Sequence, residues 1–144
     1  MVGGLPEWEY WNAANKRFPK IDTHVRVWDL EWFRYPWLQS RPELRKTYSF
    51  REYDQDIANT GVRGMVFIES GVEPDFSIEE VDWAIAWAND YPKIRGIIAY
   101  GNMSDYLSVP AYLELLLERK MVKGIRCPIE FAFEKPVPFI RNMS

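Results

Sequence analysis

The sequence predicts an α/β fold in which parallel strands alternate with helices, and a short internal repeat is the main reason. Three segments share one pattern: a β-branched residue, a basic residue, glycine and an apolar residue. They are Val62-Arg63-Gly64-Met65, Ile94-Arg95-Gly96-Ile97 and Val122-Lys123-Gly124-Ile125, and each opens an apolar run. The starts recur about every 30 residues, which is close to the spacing of strands in βαβ units.

A first strand is predicted ahead of the repeat, at about residues 21–28, and a long aromatic loop follows it. The first helix is expected to begin at Ser49-Phe50-Arg51-Glu52, which has the form of a capping box. In that motif the hydroxyl accepts from an early amide, and the carboxylate reaches back to the amide of the cap residue. Gly61 is the expected glycine just past the end of this helix.

The second helix is expected to begin at another capping box, Ser77-Ile78-Glu79-Glu80, and to end before Pro92. The pair Glu79-Glu80 is interpreted as part of its solvated face. One apolar face is predicted from the spacing i, i+3, i+4 and i+7, which is occupied by Val81, Ala84, Ile85 and Ala88.

The third helix is expected to begin near Ser108, with Pro110 tolerated in its first turn. Its buried side chains are predicted to be Leu113, Leu116 and Leu117. Basic residues at 119–120 suit the negative end of the helix dipole.

Four strands and three helices in this order correspond to half of a TIM barrel, with a small open sheet as the alternative. The last strand is predicted at about residues 122–129. We divide the chain into an aromatic N-terminal extension at 1–20, a β/α domain at 21–130 and a tail at 131–144. A short amphipathic helix is an option around residues 7–17.

Composition excludes several classes of protein. The net charge is −3 and the basic residues are scattered, so a nucleic-acid partner is not expected. No apolar run of about 18 residues predicts a membrane span, no signal peptide is recognisable, and the expected location is the cytoplasm.

The single cysteine, Cys127, fits a reducing compartment and is interpreted as a small buried hydrophobe. Five of the seven tryptophans lie in the first 37 residues, where packing is the leading interpretation and a pocket wall the alternative.

The only histidine of the chain, His24, lies in the first predicted strand. Because strand side chains alternate faces, His24 and Arg26 are predicted to project together, with Asp22 beneath them. An imidazole and a guanidinium on one face near a strand end indicate a site rather than a core.

These residues resemble a known family. The run Ile21-Asp22-Thr23-His24-Val25-Arg26-Val27-Trp28-Asp29, followed by Phe33-Arg34-Tyr35-Pro36-Trp37-Leu38, resembles the opening of amidohydrolase-related proteins of the lactonase type. Later phrases agree, namely Ala58-Asn59-Thr60-Gly61-Val62, Val66-Phe67-Ile68-Glu69 and Val122-Lys123-Gly124-Ile125-Arg126. The resemblance spans roughly residues 20–130. It implies a TIM-barrel hydrolase of the group that includes sugar-lactone and pyrone-dicarboxylate lactonases, of which this chain would supply the N-terminal half.

The resemblance implies that His24 is the first histidine of an Asp-x-His-x-His pattern and a catalytic group. Arg26 stands where the second histidine is expected. A guanidinium has no lone pair to give and is always charged, so we expect no metal or other cofactor.

The resemblance also implies that Arg126 closes the fourth strand and clamps a substrate carboxylate or carbonyl, with an ion pair as the alternative. Arg26 would hold anionic groups, and aromatic rings would wall the pocket: Trp28, Tyr35 and Trp37. Glu69 is expected to accept from a substrate hydroxyl, to pair with Arg26 or Arg126, or to cap its strand. If both strands are regular, the alternation places Glu69 and Arg126 on opposite faces.

The resemblance thus suggests hydrolysis of a cyclic ester of a sugar acid or similar carboxylate. We expect this chain to be incomplete and inactive alone, since the family's catalytic aspartate ends an eighth strand. A non-catalytic ligand-binding or interaction module is the alternative, including a half-barrel that forms a homodimer through its exposed sheet edges.

Overall fold

Four parallel strands form a single sheet in which neighbours in sequence are also neighbours in space. The computed structural model describes residues 18–101, 103 and 107–128. The strands are β1 (Lys20–Val25), β2 (Val62–Ile68), β3 (Ile94–Tyr100) and β4 (Val122–Arg126), in the order β1-β2-β3-β4. Every pairing is parallel. The predicted class, parallel β/α units in half-TIM-barrel order, is confirmed.

Three helices connect these strands: α1 (Phe50–Asp56), α2 (Ser77–Asp90) and α3 (Val109–Leu117). The capping box of α1 is confirmed, since Ser49 accepts from an early amide and the Glu52 carboxylate accepts from the Ser49 amide. Three short 3-10 helices lie in the loops after β1 and β2, at Pro36–Ser40, Pro42–Leu44 and Pro74–Phe76. Each begins with proline, whose fixed φ suits a first helical position.

The core lies between the helices and one face of the sheet. Met65 and Phe67 of β2 and Ile97 of β3 are fully buried in it. Phe50 of α1 packs edge-to-face on Phe67, with ring centroids 5.4 Å apart, and Trp83 of α2 packs on both rings. These aromatic contacts fix the helices on the sheet, and the opposite face stays available for a site.

The glycines of the sequence repeat have a steric cause. A Cβ atom on Gly64 would lie 2.7 Å from Cδ1 of Ile21 on β1, and one on Gly96 would lie 3.0 Å from Cγ of Lys123 on β4. The repeated glycine therefore leaves room for a side chain of the adjacent strand.

Between Asp22 and Val25, strand β1 contains one residue more than the facing segment of β2. Asp22 is the partner of Met65 and Val25 is the partner of Phe67, so three steps on β1 match two on β2. The carboxylate of Asp22 accepts from the Tyr53 hydroxyl of α1, at 2.8 Å, and so faces the helices. The prediction that Asp22 lies beneath His24 and Arg26 is wrong, because this bulge breaks the alternation.

Several predicted boundaries also need correction. β1 and β4 end earlier than expected, at Val25 and Arg126. Helix α1 ends at Asp56, and Gly61 lies in the turn before β2 with φ +83° rather than directly after the helix. The helix proposed at 7–17 and the tail at 131–144 fall outside the described residues.

Two side-chain predictions fail on the later helices. Ser77 does not cap α2: its hydroxyl donates to the Pro74 carbonyl oxygen, and Glu80 turns inward. Leu116 is buried but Leu117 is 81% exposed, since consecutive helical residues point about 100° apart.

Cys127 is exposed rather than buried, because it follows the end of β4. Among the helices that the structure describes, none is long and apolar enough to cross a bilayer.

Candidate functional site

Each strand of the sheet delivers one polar side chain to the same cleft. Arg26 follows β1, Glu69 follows β2, and Tyr100 and Arg126 are the last residues of β3 and β4. The carboxyl ends of parallel strands lie at one edge of the sheet, which is where β/α-barrel enzymes place their sites. The cleft has a volume of about 780 Å³.

Glu69 and Arg126 form an ion pair at the base of this cleft. Glu69 is 1% exposed, and the Arg126 side chain keeps 31% of its surface in solvent. The alternation argument that separated them is wrong: Glu69 is the residue directly after β2, which ends at Ile68, and its carboxylate reaches Arg126. Among the described residues this pair engages one of the two terminal nitrogens of the guanidinium, and Arg126 lines the cleft.

Arg26 contacts the same residue from the other side. Its Nε donates to the main-chain oxygen of Glu69, at 3.1 Å, rather than to the carboxylate. Pairing of the Arg26 charge with the Glu69 carboxylate, one of the predicted alternatives, is not what the structure shows, because that carboxylate pairs with Arg126. The positive charge of Arg26 is not neutralised by its bond to the main-chain oxygen.

Most main-chain polar groups of the segment Glu69–Gly71 are hydrogen bonded. The Glu69 amide donates to the Ile98 oxygen at 2.9 Å, and the Gly71 amide donates to the Glu69 carboxylate at 2.8 Å. The Ser70 carbonyl oxygen accepts from Trp37 Nε1 at 2.7 Å. Gly71 has φ +73°, which favours glycine, and a Cβ there would also lie 3.1 Å from the Trp37 ring, a tight contact. The turn is consequently rigid, and it fixes the direction of the Glu69 side chain.

The remaining group of this segment, the Ser70 amide, donates to Glu80 Oε1 at 3.1 Å. Glu80 is 1% exposed, which contradicts its interpretation as part of a solvated face. Burial raises the pKa of Glu80 to about 8, and nearby Glu69 adds to the rise while the Ser70 amide and Arg26 oppose it. The Glu80 carboxyl is thus largely uncharged at neutral pH.

Sequence reasoning missed Glu80, although a signal was present. The buried residues of α2 are Ser77, Glu80, Val81 and Ala84, which follow the spacing i, i+3, i+4 and i+7. Glu80 therefore occupies a position on the inward stripe of the helix, whereas its neighbour Glu79 is exposed. Ser70 is also fully buried, and its hydroxyl has no partner among the described residues.

Of the three aromatic residues predicted as pocket walls, one lines the cleft and two do not. Trp37 lines the cleft. Trp28 packs edge-to-face on Trp37, with centroids 5.3 Å apart, and its indole nitrogen donates to the Lys46 oxygen. Tyr35 is buried, and its hydroxyl accepts from the Asp29 amide. Burial raises the pKa of Tyr35, so this phenol stays protonated.

The charge of the cleft is predominantly positive. Among the described residues, Arg26, Arg41 and Arg126 line it, against one lining carboxylate, that of Glu69, and Arg41 also pairs with Glu43 at 3.8 Å. Arg41 was not predicted, because it lies between two 3-10 helices in a loop whose path the sequence does not indicate. Apolar surface completes the lining, from Pro36, Val72, Pro74 and Pro128. Guanidinium groups with an apolar wall suit a small anionic ligand.

His24 does not line this cleft. It is exposed on β1, and its main-chain amide donates to the Asp22 carboxylate at 3.0 Å, within the bulge. Among the described residues, the structure brings together four of the seven predicted site residues: Arg26, Trp37, Glu69 and Arg126.

The donor set does not suit a divalent cation. Within residues 18–101, 103 and 107–128, no three side chains of histidine, cysteine, aspartate or glutamate are grouped as ligands. The positive guanidinium groups would also repel a cation. That the protein works without a metal or cofactor stays a prediction.

Fold and cleft together correspond to β/α-barrel proteins that bind ligands at the carboxyl ends of their strands. The structure is similar to that of amidohydrolase 2 from Bifidobacterium longum subsp. infantis, with a TM-score of 0.55 and 23% identity over 78% of this chain and 41% of that one. This likeness establishes an amidohydrolase-like fold.

In sequence, the chain is 29% identical over 120 residues to the uncharacterized protein y4mH of Sinorhizobium fredii (strain NBRC 101917 / NGR234). The match covers 77% of this chain and 40% of that protein. No protein-family model matches the chain. This chain spans about two fifths of the length of both proteins.

Proposed function

We propose that this chain forms the anion-binding part of an amidohydrolase-related hydrolase of the lactonase type. Its ligand would be a cyclic ester of a sugar acid or a similar carboxylate. The observation that carries the proposal is the Glu69–Arg126 pair in an arginine-lined cleft at the carboxyl ends of the strands. The amidohydrolase-like fold supports the same class of chemistry.

In this proposal Arg126 and Arg26 bind the negative charge of the ligand, and Trp37 packs against its ring. Arg126 is suited to the task because Glu69 holds it in one orientation while part of the guanidinium remains in solvent. Water attacks the ester carbonyl, the tetrahedral intermediate collapses with cleavage of the ring C–O bond, and the alkoxide leaving group takes up a proton.

A general base must remove a proton from the attacking water. Glu69 is the carboxylate of the cleft, and it is already engaged by Arg126 and the Gly71 amide. We therefore expect this chain to bind a lactone carboxylate without turning it over. A catalytic role for His24, as a group that hydrogen-bonds or polarises the ester carbonyl, stays a prediction, because His24 is exposed on β1 and does not line the cleft.

Calorimetric titration tests the proposal with two lactones that differ in charge. The purified chain is expected to bind 2-pyrone-4,6-dicarboxylate, which is anionic, and to bind the neutral D-glucono-1,5-lactone at least tenfold more weakly. Arg126→Met is expected to weaken binding of the dicarboxylate at least tenfold, since loss of a partner from a desolvated charge pair costs about 2–5 kcal/mol.

Arg63→Met is the matched control, because Arg63 is an exposed arginine at the start of β2, away from the cleft. It is expected to leave the affinity within about twofold of wild type. Equal affinity for the two lactones, or equal losses in the two arginine variants, would refute the anion-binding role.

A second candidate function, a non-catalytic module that pairs through its sheet edges, is favoured by one observation. The strand order leaves β1 and β4 as the outer strands of the sheet that the structure describes. Ile125 of β4 and Leu117 of α3 are exposed apolar residues. Sedimentation equilibrium decides the matter: a molar mass twice that of the chain, reduced to the monomer by Ile125→Lys, would support a homodimer.

A further inference from the structure

Glu80 links helix α2 to the floor of the cleft. Its Oε1 accepts from the Ser70 amide, so it closes the series of bonds that holds the segment Glu69–Gly71. The side chain is 1% exposed and lies in the first turn of α2, on the buried stripe that also carries Val81 and Ala84. A carboxyl at such a position costs free energy unless it has a specific partner. Its bond to the Ser70 amide supplies that partner.

Charged and titratable groups face Glu80 from the surrounding elements. Arg26 lies after β1, Glu69 after β2, Tyr35 in the aromatic loop and Tyr112 on α3. Arg26 is the cation of this set, and it already donates to the Glu69 carbonyl oxygen. A second negative charge at Glu80 would therefore repel Glu69 and neutralise part of the positive charge of Arg26.

We propose that Glu80 is a positioning residue: it fixes the Ser70 amide, and through it the Glu69 carboxylate that orients Arg126. In its uncharged form it also adds no negative charge beside Arg26, so the positive charge of that arginine stays available to an anionic ligand. This inference deepens the proposed function. Its second half, the effect of the Glu80 charge on an anionic ligand, rests on that function. The first half concerns the ligand-free protein and is tested separately.

The test uses two variants of similar size in the full chain. Glu80→Gln keeps an oxygen for the Ser70 amide but cannot ionise, whereas Glu80→Leu removes the acceptor. Amide NMR of the ligand-free protein measures hydrogen-exchange protection at Ser70 and the chemical shift of that amide between about pH 6 and 10. The Ile97 amide, which donates to the Met121 oxygen, reports on the intact sheet. Glu79→Gln is the control, because Glu79 is the exposed neighbour on the same helix.

Protection of the Ser70 amide is expected to fall at least tenfold in Glu80→Leu and to stay within about threefold of wild type in Glu80→Gln. The Ser70 shift should titrate in wild type and in Glu79→Gln with a midpoint near pH 8, and it should be flat in Glu80→Gln. If Glu80→Leu does not fold, the inference is still tested by whether the Ser70 shift titrates in wild type and stays flat in Glu80→Gln. A Ser70 shift that does not titrate in wild type, or that titrates equally in Glu80→Gln, would overturn the inference.

The second half is tested by titrating 2-pyrone-4,6-dicarboxylate at pH 7 and pH 9.5. Affinity is expected to fall at least threefold at the higher pH in wild type and to change less in Glu80→Gln. Failure of the dicarboxylate to bind at either pH would count against the proposed function. The amide titration of the ligand-free protein would still test whether Glu80 positions the Ser70 amide.

Discussion

The guanidinium of Arg126, at the end of β4, binds the carboxylate of Glu69 across the width of the intervening strand β3. The two residues are 57 positions apart in sequence, so the contact depends on the whole sheet. Glu69 can reach because β2 has ended at Ile68, and its side chain no longer follows the alternation of the strand. The pair thus couples the stability of the sheet to the geometry of the cleft.

Breaking this pair from the arginine side is expected to be costly. Arg126→Met leaves a buried carboxylate without its cation and should lower the free energy of unfolding by about 2–4 kcal/mol, somewhat less than for a pair with both partners buried. Adding Glu69→Gln should recover about 1 kcal/mol or more of that loss. Urea unfolding measures both effects.

Arg119→Met is the matched control for that experiment. Arg119 pairs with Asp82 through two hydrogen bonds, but Asp82 is largely exposed. Exposed pairs contribute about 0–1 kcal/mol, so this variant should be much less destabilised. A loss as large as that of Arg126→Met would mean that the Glu69 pair has no special role.

The sequence was sufficient for the features that depend on local rules. The capping box of α1 and the end of α2 before Pro92 follow from backbone hydrogen bonding and proline sterics, which act within a few residues. The repeated glycines indicated the strands correctly, although their cause, contact with side chains such as Ile21, involves the neighbouring strand.

The site was only partly predictable, because its geometry depends on departures from regular structure. Alternation failed at Asp22, where β1 has a bulge, and at Glu69, where β2 has already ended. Glu80 was assigned to solvent from its charge, although its helical position places it among buried residues. Arg41 reaches the cleft through a loop, and no sequence periodicity describes such a path.

Gly71 is expected to tolerate no side chain. Gly71→Ala would force a Cβ into a left-handed backbone conformation and against the Trp37 ring, and we expect a loss of about 1–2 kcal/mol in unfolding free energy. Indole fluorescence should change as well, because Trp37 binds the Ser70 oxygen beside it. Gly61→Ala is the control, since Gly61 also has a positive φ but lies at the other end of β2. It should lose similar stability without the fluorescence change, and identical spectra for the two variants would contradict the assignment.

The α1 cap should be separable from the site. Ser49→Ala removes the acceptor for the Arg51 amide and the hydroxyl that donates to Glu52, and is expected to cost about 0.5–2 kcal/mol. Ser40→Ala, which removes an exposed hydroxyl bonded to the Trp37 oxygen, should stay within about 0.5 kcal/mol of wild type. Thermal unfolding compares them, and equal melting temperatures would show that the capping box adds nothing.

The buried carboxyl of Glu80 should make stability fall as pH rises. Burial raises its pKa from 4.5 to about 8 in the folded protein, so the folded state retains a proton that the unfolded state releases. This contribution is complete below about pH 4.5 and is lost as pH rises through 8. Because one pKa unit corresponds to about 1.4 kcal/mol, the loss is on the order of a few kcal/mol.

Urea unfolding of wild type and Glu80→Gln at several pH values isolates the effect, since other groups titrate equally in both proteins. The difference in unfolding free energy between the two should move in favour of Glu80→Gln as pH rises from 5 to 9, whereas Glu79→Gln should show no such trend. A constant difference across that range would mean that Glu80 ionises alike in the folded and unfolded states.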